Sequence, residues 1–101
     1  MSRHYRRATL DFTVGRINAF NEAKGGGVSV RKDVRGYSLF REDTGMPIAR
    51  LRPVLDGEFF DVYFWSDRDK WEPVGYFGGI RLRLDEALEY IADDPLECFW
   101  R

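Results

Sequence analysis

The segment Leu55-Asp56-Gly57-Glu58, with a strand-patterned run on each side, constrains the fold more than any other part of the chain. Asp-Gly between alternating apolar runs is a strong short-range hairpin signal, because the glycine accepts the backbone angles of a tight reversal. The arms are Pro47–Val54 and Phe59–Trp65. Pairing Val54 with Phe59 fixes the rest of the register. Pro53 then faces Phe60, Arg52 faces Asp61, Leu51 faces Val62, Arg50 faces Tyr63, Ala49 faces Phe64 and Ile48 faces Trp65. One face carries Ala49, Leu51, Phe60, Val62 and Phe64 and reads as a core face. The other carries Arg52 with Asp61, Arg50 with Tyr63, and Ile48 with Trp65. A one-residue slip would bring Asp61 onto the core face, so the alternation itself specifies the register. Pro53 has no N–H to donate, and a four-residue loop leaves it at a position where none is needed.

The flanking segments extend this hairpin into a sheet. Val28 and Val30 alternate with Ser29 and Arg31, and Tyr37 and Leu39 with Ser38 and Phe40, which reads as an earlier hairpin. A turn at Asp43-Thr44-Gly45 leads into the central pair. A polar turn at 66–70 leads to a fifth strand over Trp71–Tyr76, whose Pro73 suits an edge position. Gly78-Gly79 breaks it. At the N-terminal end, Val14, Ile17 and Phe20 follow Leu10 at helical spacing, which predicts a helix over about 12–24. Asp11 or Thr13 caps it, and Gly25-Gly26-Gly27 ends it. Strand-like alternation over residues 8–14 competes with this reading. Near the C-terminus, Leu84, Ala87, Leu88 and Ile91 mark a second amphipathic helix, with Asp85 as the expected cap and Asp94-Pro95 as its end. Leu96, Phe99 and Trp100 are apolar enough to dock the tail on the body. The expected fold is therefore α+β: a five-stranded antiparallel meander flanked by an N-terminal and a C-terminal helix, with the helices on the core face. Residues 1–101 read as one domain, with 1–9 as a flexible basic arm.

Composition excludes several function classes. Aromatics make up 16% of the 101 residues, too many for a disordered chain. The formal net charge of -1 argues against a strongly basic nucleic-acid protein. It hides an asymmetry, however. Residues 1–54 hold eleven basic and five acidic side chains, and residues 55–101 hold five and twelve. The single cysteine, Cys98, rules out an intrachain disulfide framework and a multi-thiolate zinc site. No apolar run reaches the ~18 residues of a membrane helix. The basic start is not followed by the apolar stretch of a signal peptide, which points to the cytoplasm.

Three stretches carry a likeness to known proteins. They are Pro47-Ile48-Ala49-Arg50 opening a strand, the aromatic run Tyr63-Phe64-Trp65 through Asp67-Arg68-Asp69-Lys70-Trp71, and an acidic residue before the ending Cys98-Phe99-Trp100. On these, the segment from about Gly36 to Arg101 resembles an uncharacterised family of small bacterial proteins, a domain of unknown function. The resemblance implies an initial helix and no particular activity.

No catalytic motif stands out. The only His, His4, and the only Cys form no spaced pair, and no serine sits in a Gly-x-Ser-x-Gly elbow. Asp67 and Asp69 lack the further ligand positions of a calcium loop. Gly25–Gly27 follows a helix instead of preceding one, so it does not form a phosphate cradle. The chain thus reads as non-enzymatic, with no metal, no cofactor and no catalytic residue assigned. Acid–base chemistry by carboxylates stays open, since spatial pairing of acids is invisible in a sequence. The candidate site is the outer sheet face with Ile48, Arg50, Arg52, Phe59, Tyr63 and Trp65. Trp, Tyr and Arg are the residue types that dominate protein interfaces, so a protein partner or a second copy is the leading expectation. Single-stranded nucleic acid on the same face, helped by Arg3, Arg6 and Arg7 of the arm, is the alternative.

Overall fold

A computed structural model describes residues 11–75 and 78–100. The expected arm at 1–9, the apolar Leu10 and the end of the expected fifth strand at Tyr76 lie outside the described residues. The elements run α1 (Phe12–Ala23), β1 (Val28–Asp33), β2 (Gly36–Arg41), β3 (Pro47–Val54), a short 3-10 turn (Leu55–Gly57), β4 (Phe59–Trp65), β5 (Trp71–Pro73), β6 (Ile80–Leu82) and α2 (Leu84–Asp93). The fold is α+β, with an antiparallel sheet between an N-terminal and a C-terminal helix.

The sheet is ordered β1-β2-β3-β4, and β5 and β6 share the far edge of β4. β5 pairs with Tyr63–Trp65 and β6 with Phe60–Val62. The sixth strand differs from the expected five. After Pro73 the ladder closes with one further bond, from the Val74 N–H to the Val62 carbonyl at 3.2 Å. Positive φ at Gly75, Gly78 and Gly79 then brings the chain back to β4.

The central hairpin keeps the expected register from Val54 opposite Phe59 to Ala49 opposite Phe64. The loop is the expected four residues, with positive φ at Leu55, Asp56 and Gly57. One expected pair is not made. The ladder between β2 and β3 steps from Leu39 opposite Ala49 to Phe40 opposite Pro47, leaving Ile48 as the extra residue of a bulge. Ile48 is 1% exposed and belongs to the core cluster. It is therefore a core residue and not part of the outer face, because the bulge interrupts the alternation that sequence reading assumes.

Helix α1 starts as expected at Asp11, whose carboxylate accepts the Val14 N–H at 3.0 Å. The same carboxylate pairs with Lys32 at 2.8 Å, which ties the helix start to β1. Helix α2 departs from expectation at its start. Asp85 lies inside the first turn and pairs with Arg16 of α1. The Arg83 N–H is taken by Glu86 instead, at 3.1 Å, three residues on as in a capping box. Ile17 of α1 and Ala87, Leu88 and Ile91 of α2 pack with Leu39, Ala49, Leu51, Phe60 and Val62 of the sheet. Phe99 joins this core at 2% exposure, whereas Leu96 stays exposed. Each large side chain so buried contributes about 1.5–3 kcal/mol. All of this packing is on one side of the sheet.

Candidate interaction face

The other side of the sheet is set by the same alternation. In β3 it brings out Arg50 and Arg52, and in β4 Phe59, Asp61, Tyr63 and Trp65. Cross-strand pairing adds Arg31 and Ser38 in line with Arg50 and Tyr63. It also adds Arg81 opposite Asp61. Five of the six expected residues thus share one face, and Ile48 is the exception.

The arginines lie over aromatic rings. The Arg50 guanidinium sits 4.9 Å from the Trp71 ring, and Arg52 sits 5.6 Å from Tyr63. Arg83 covers Phe59 at 4.7 Å, and Arg31 covers Phe40 at the same distance. Trp65 and Trp71 pack edge to face at 5.1 Å. Such cation–ring contacts contribute about 0.5–1 kcal/mol each at exposed sites. Arg50 is fixed further: its Nε donates to Ser38 Oγ at 3.0 Å, and its Nη2 lies 3.6 Å from Asp33. Asp61 receives Arg81 at 2.8 Å and Arg52 at 3.4 Å. The hydrogen bond from Arg81, and then that from Arg52, holds the Asp61 carboxyl below the usual range against the opposing effect of burial.

Phe59, Tyr63, Trp65 and Trp71 are all partly buried under guanidinium groups and neighbouring rings. The exposed large apolar side chains, such as Phe12, Val34 and Leu96, lie elsewhere. Nor do the helices cover Trp65, since they pack on the opposite face. What remains is a basic surface. Arg31, Arg50, Arg52, Arg81 and Arg83 stand against Asp33 and Asp61. Arg31 and Arg83 are exposed, with no carboxylate in ion-pair range among the described residues. Sequence reading missed Arg31, Arg81, Arg83 and Trp71 as members of this face. Arg31 was legible from its alternation with Val28 and Val30. Arg81 carried no usable signal, because three residues of β6 are too few to show a period.

The opposite side differs in sign. Asp85, Glu86, Glu89 and Asp93 line a shallow groove along α2, where Asp85 is tied to Arg16 and Glu89 to Lys24. An apolar cleft of about 510 Å³ lies between the helices, with Phe20, Ile91 and Trp100 among its walls. Among the described residues, no three His, Cys, Asp or Glu side chains gather as a metal site. No described helix is long and apolar enough to cross a membrane. Arg3, Arg6, Arg7 and His4 lie outside the described residues.

No curated protein and no solved structure matches the chain. A family model does match, and it spans residues 5–101, nearly the whole length and all three of the stretches that carried the likeness. The chain belongs to the family described as Domain of unknown function (DUF3024).

Proposed function

We propose that the chain is a non-enzymatic protein-interaction module of the bacterial cytoplasm, with the outer sheet face as its contact surface. The observation that carries this reading is the array of arginines stacked on aromatic rings, on the one sheet face that the helices leave uncovered. Arg, Trp and Tyr are enriched at interface hot spots because each combines a large contact area with directed hydrogen bonds. Stacking restricts the guanidinium planes before any partner arrives, which reduces the ordering cost of association. The lone cysteine suits a reducing compartment.

A photo-crosslinking phenylalanine analogue at position 63, in cells that make the protein naturally, tests the proposal. Discrete adducts are expected from position 63 but not from the exposed helix position 22, and Arg52→Glu should abolish them. Equal adducts from both positions, or adducts that survive Arg52→Glu, refute the reading.

Binding of single-stranded nucleic acid is the second reading, favoured by the excess of arginine on the face. The rings that would stack on bases already carry the protein's own guanidinium groups, which places this reading behind the first. Titration with oligothymidylate at rising salt decides it, since phosphate contacts weaken steeply as salt increases.

A further inference from the structure

We infer that the partner of this face is an extended acidic segment of another protein, its carboxylates seated on the outer-face arginines. The inference rests on the interaction reading above and names the chemistry that reading leaves open.

Charge is the first argument. Among the described residues, five arginines of this face stand against the carboxylates of Asp33 and Asp61, and Arg31 and Arg83 have no carboxylate in ion-pair range. Geometry is the second. A guanidinium lying on a ring keeps its N–H edge free, and that edge matches the two oxygens of a carboxylate. Asp61 already shows the match: it takes Arg81 and Arg52 together. An incoming carboxylate would repeat on Arg31 and Arg83 what Asp61 does within the chain.

Competing occupants fit less well. A second copy docked face to face would set arginines against arginines. Bases would have to displace Arg50 from Trp71 and Arg52 from Tyr63 before they could stack.

Fluorescence anisotropy of a labelled ten-residue Glu-Ser repeat against the full chain tests this, with a Lys-Ser repeat and oligothymidylate as parallel probes. The Glu-Ser peptide should bind at low salt and weaken as salt rises, while the Lys-Ser peptide should not bind. The double variant Arg31→Glu/Arg83→Glu should bind at least about tenfold more weakly, given that two favourable charge contacts become repulsive. Asp61→Asn should bind more tightly, because Arg52 and Arg81 lose their internal carboxylate. Circular dichroism melts confirm that each variant is folded. Absence of Glu-Ser binding at low salt, or binding untouched by the double charge reversal, overturns the inference. Tighter binding of oligothymidylate than of peptide overturns it in favour of nucleic acid. Concentration-dependent dimerisation in sedimentation, with no peptide binding, overturns it in favour of a second copy. Face-specific crosslinking without Glu-Ser binding leaves the interaction reading standing and removes only the acidic partner.

Discussion

Asp94 ends helix α2 in the left-handed region, at φ 47° and ψ 56°. Its carboxylate accepts the N–H groups of Cys98 at 2.8 Å, Phe99 at 3.1 Å and Trp100 at 3.0 Å. This one side chain therefore anchors the tail that places Phe99 in the core. Two substitutions separate its contributions. Asp94→Asn keeps the shape and tolerates the left-handed backbone. It loses the charge and turns an N–H₂ group toward one of the donors, which should cost about 1 kcal/mol. Asp94→Ala leaves the buried Phe99 N–H without its partner, at about 1–3 kcal/mol. It also removes the local carboxylate hydrogen bonds that help Asp94 tolerate the left-handed region. The expected loss for alanine is thus about 3 kcal/mol, or a fall in Tm of roughly 12–24 °C for a domain of this size. Urea titration followed by tryptophan fluorescence, with thermal melts by circular dichroism, measures both. If alanine is no worse than asparagine, or both lie within about 0.5 kcal/mol of the parent, the carboxylate does not anchor the tail and the reasoning fails.

Two glycines should respond in opposite directions. A Cβ on Gly36, at φ +130°, would lie 2.4 Å from the Leu51 carbonyl oxygen, so Gly36→Ala should cost at least about 2 kcal/mol in urea unfolding. Gly15 sits within α1 with nothing within 4 Å of such a Cβ, and Gly15→Ala should stabilise by about 0.5–1 kcal/mol in the same assay. Leu51→Ala, at a fully buried site on a central strand, should lose about 2–5 kcal/mol. Asp61 has its folded pKa depressed by Arg81 and then Arg52, so its contribution is present above the unfolded value near ~3.9 and is lost as pH falls through the folded one. The stability gap between the parent and Asp61→Asn should therefore be wide at pH 7 and narrow as the pH falls below the unfolded value; a gap independent of pH would refute the assignment.

What the sequence discloses depends on how local the cause is. The central hairpin is legible because Asp56-Gly57 dictates the reversal and the alternation on both arms dictates the register. Helix α1 is legible from Asp11 at one end and three glycines at the other. The bulge at Ile48 is not legible, since it arises where β3 meets β2 and neither strand alone reports it. The start of α2 was misread because Asp85 and Glu86 are both acidic neighbours of the helix start, and only the backbone decides which one reaches the Arg83 N–H. The candidate face follows the same rule. Arg50, Arg52, Phe59, Tyr63 and Trp65 lie on the two strongly patterned strands and were foreseeable. Arg81, Arg83 and Trp71 reach the face through β5 and β6, whose six residues are split by a glycine-rich excursion.

The charge asymmetry along the chain takes on a different meaning once the strands are paired. Arg52 with Asp61, Arg16 with Asp85 and Lys24 with Glu89 each join the basic half of the sequence to the acidic half. If pairing were complete, both surfaces would be neutral. It is incomplete in a directed way: arginine remains in excess outside the sheet, and acid along α2. Side-chain chemistry explains that direction. A guanidinium is flat and weakly hydrated, so it can lie on an aromatic strand face, whereas a carboxylate is repelled by the electron-rich face of the same ring. An aromatic sheet face left without helices therefore selects arginine as its cover. The excess positive charge then opposes the stacking of one such face on another.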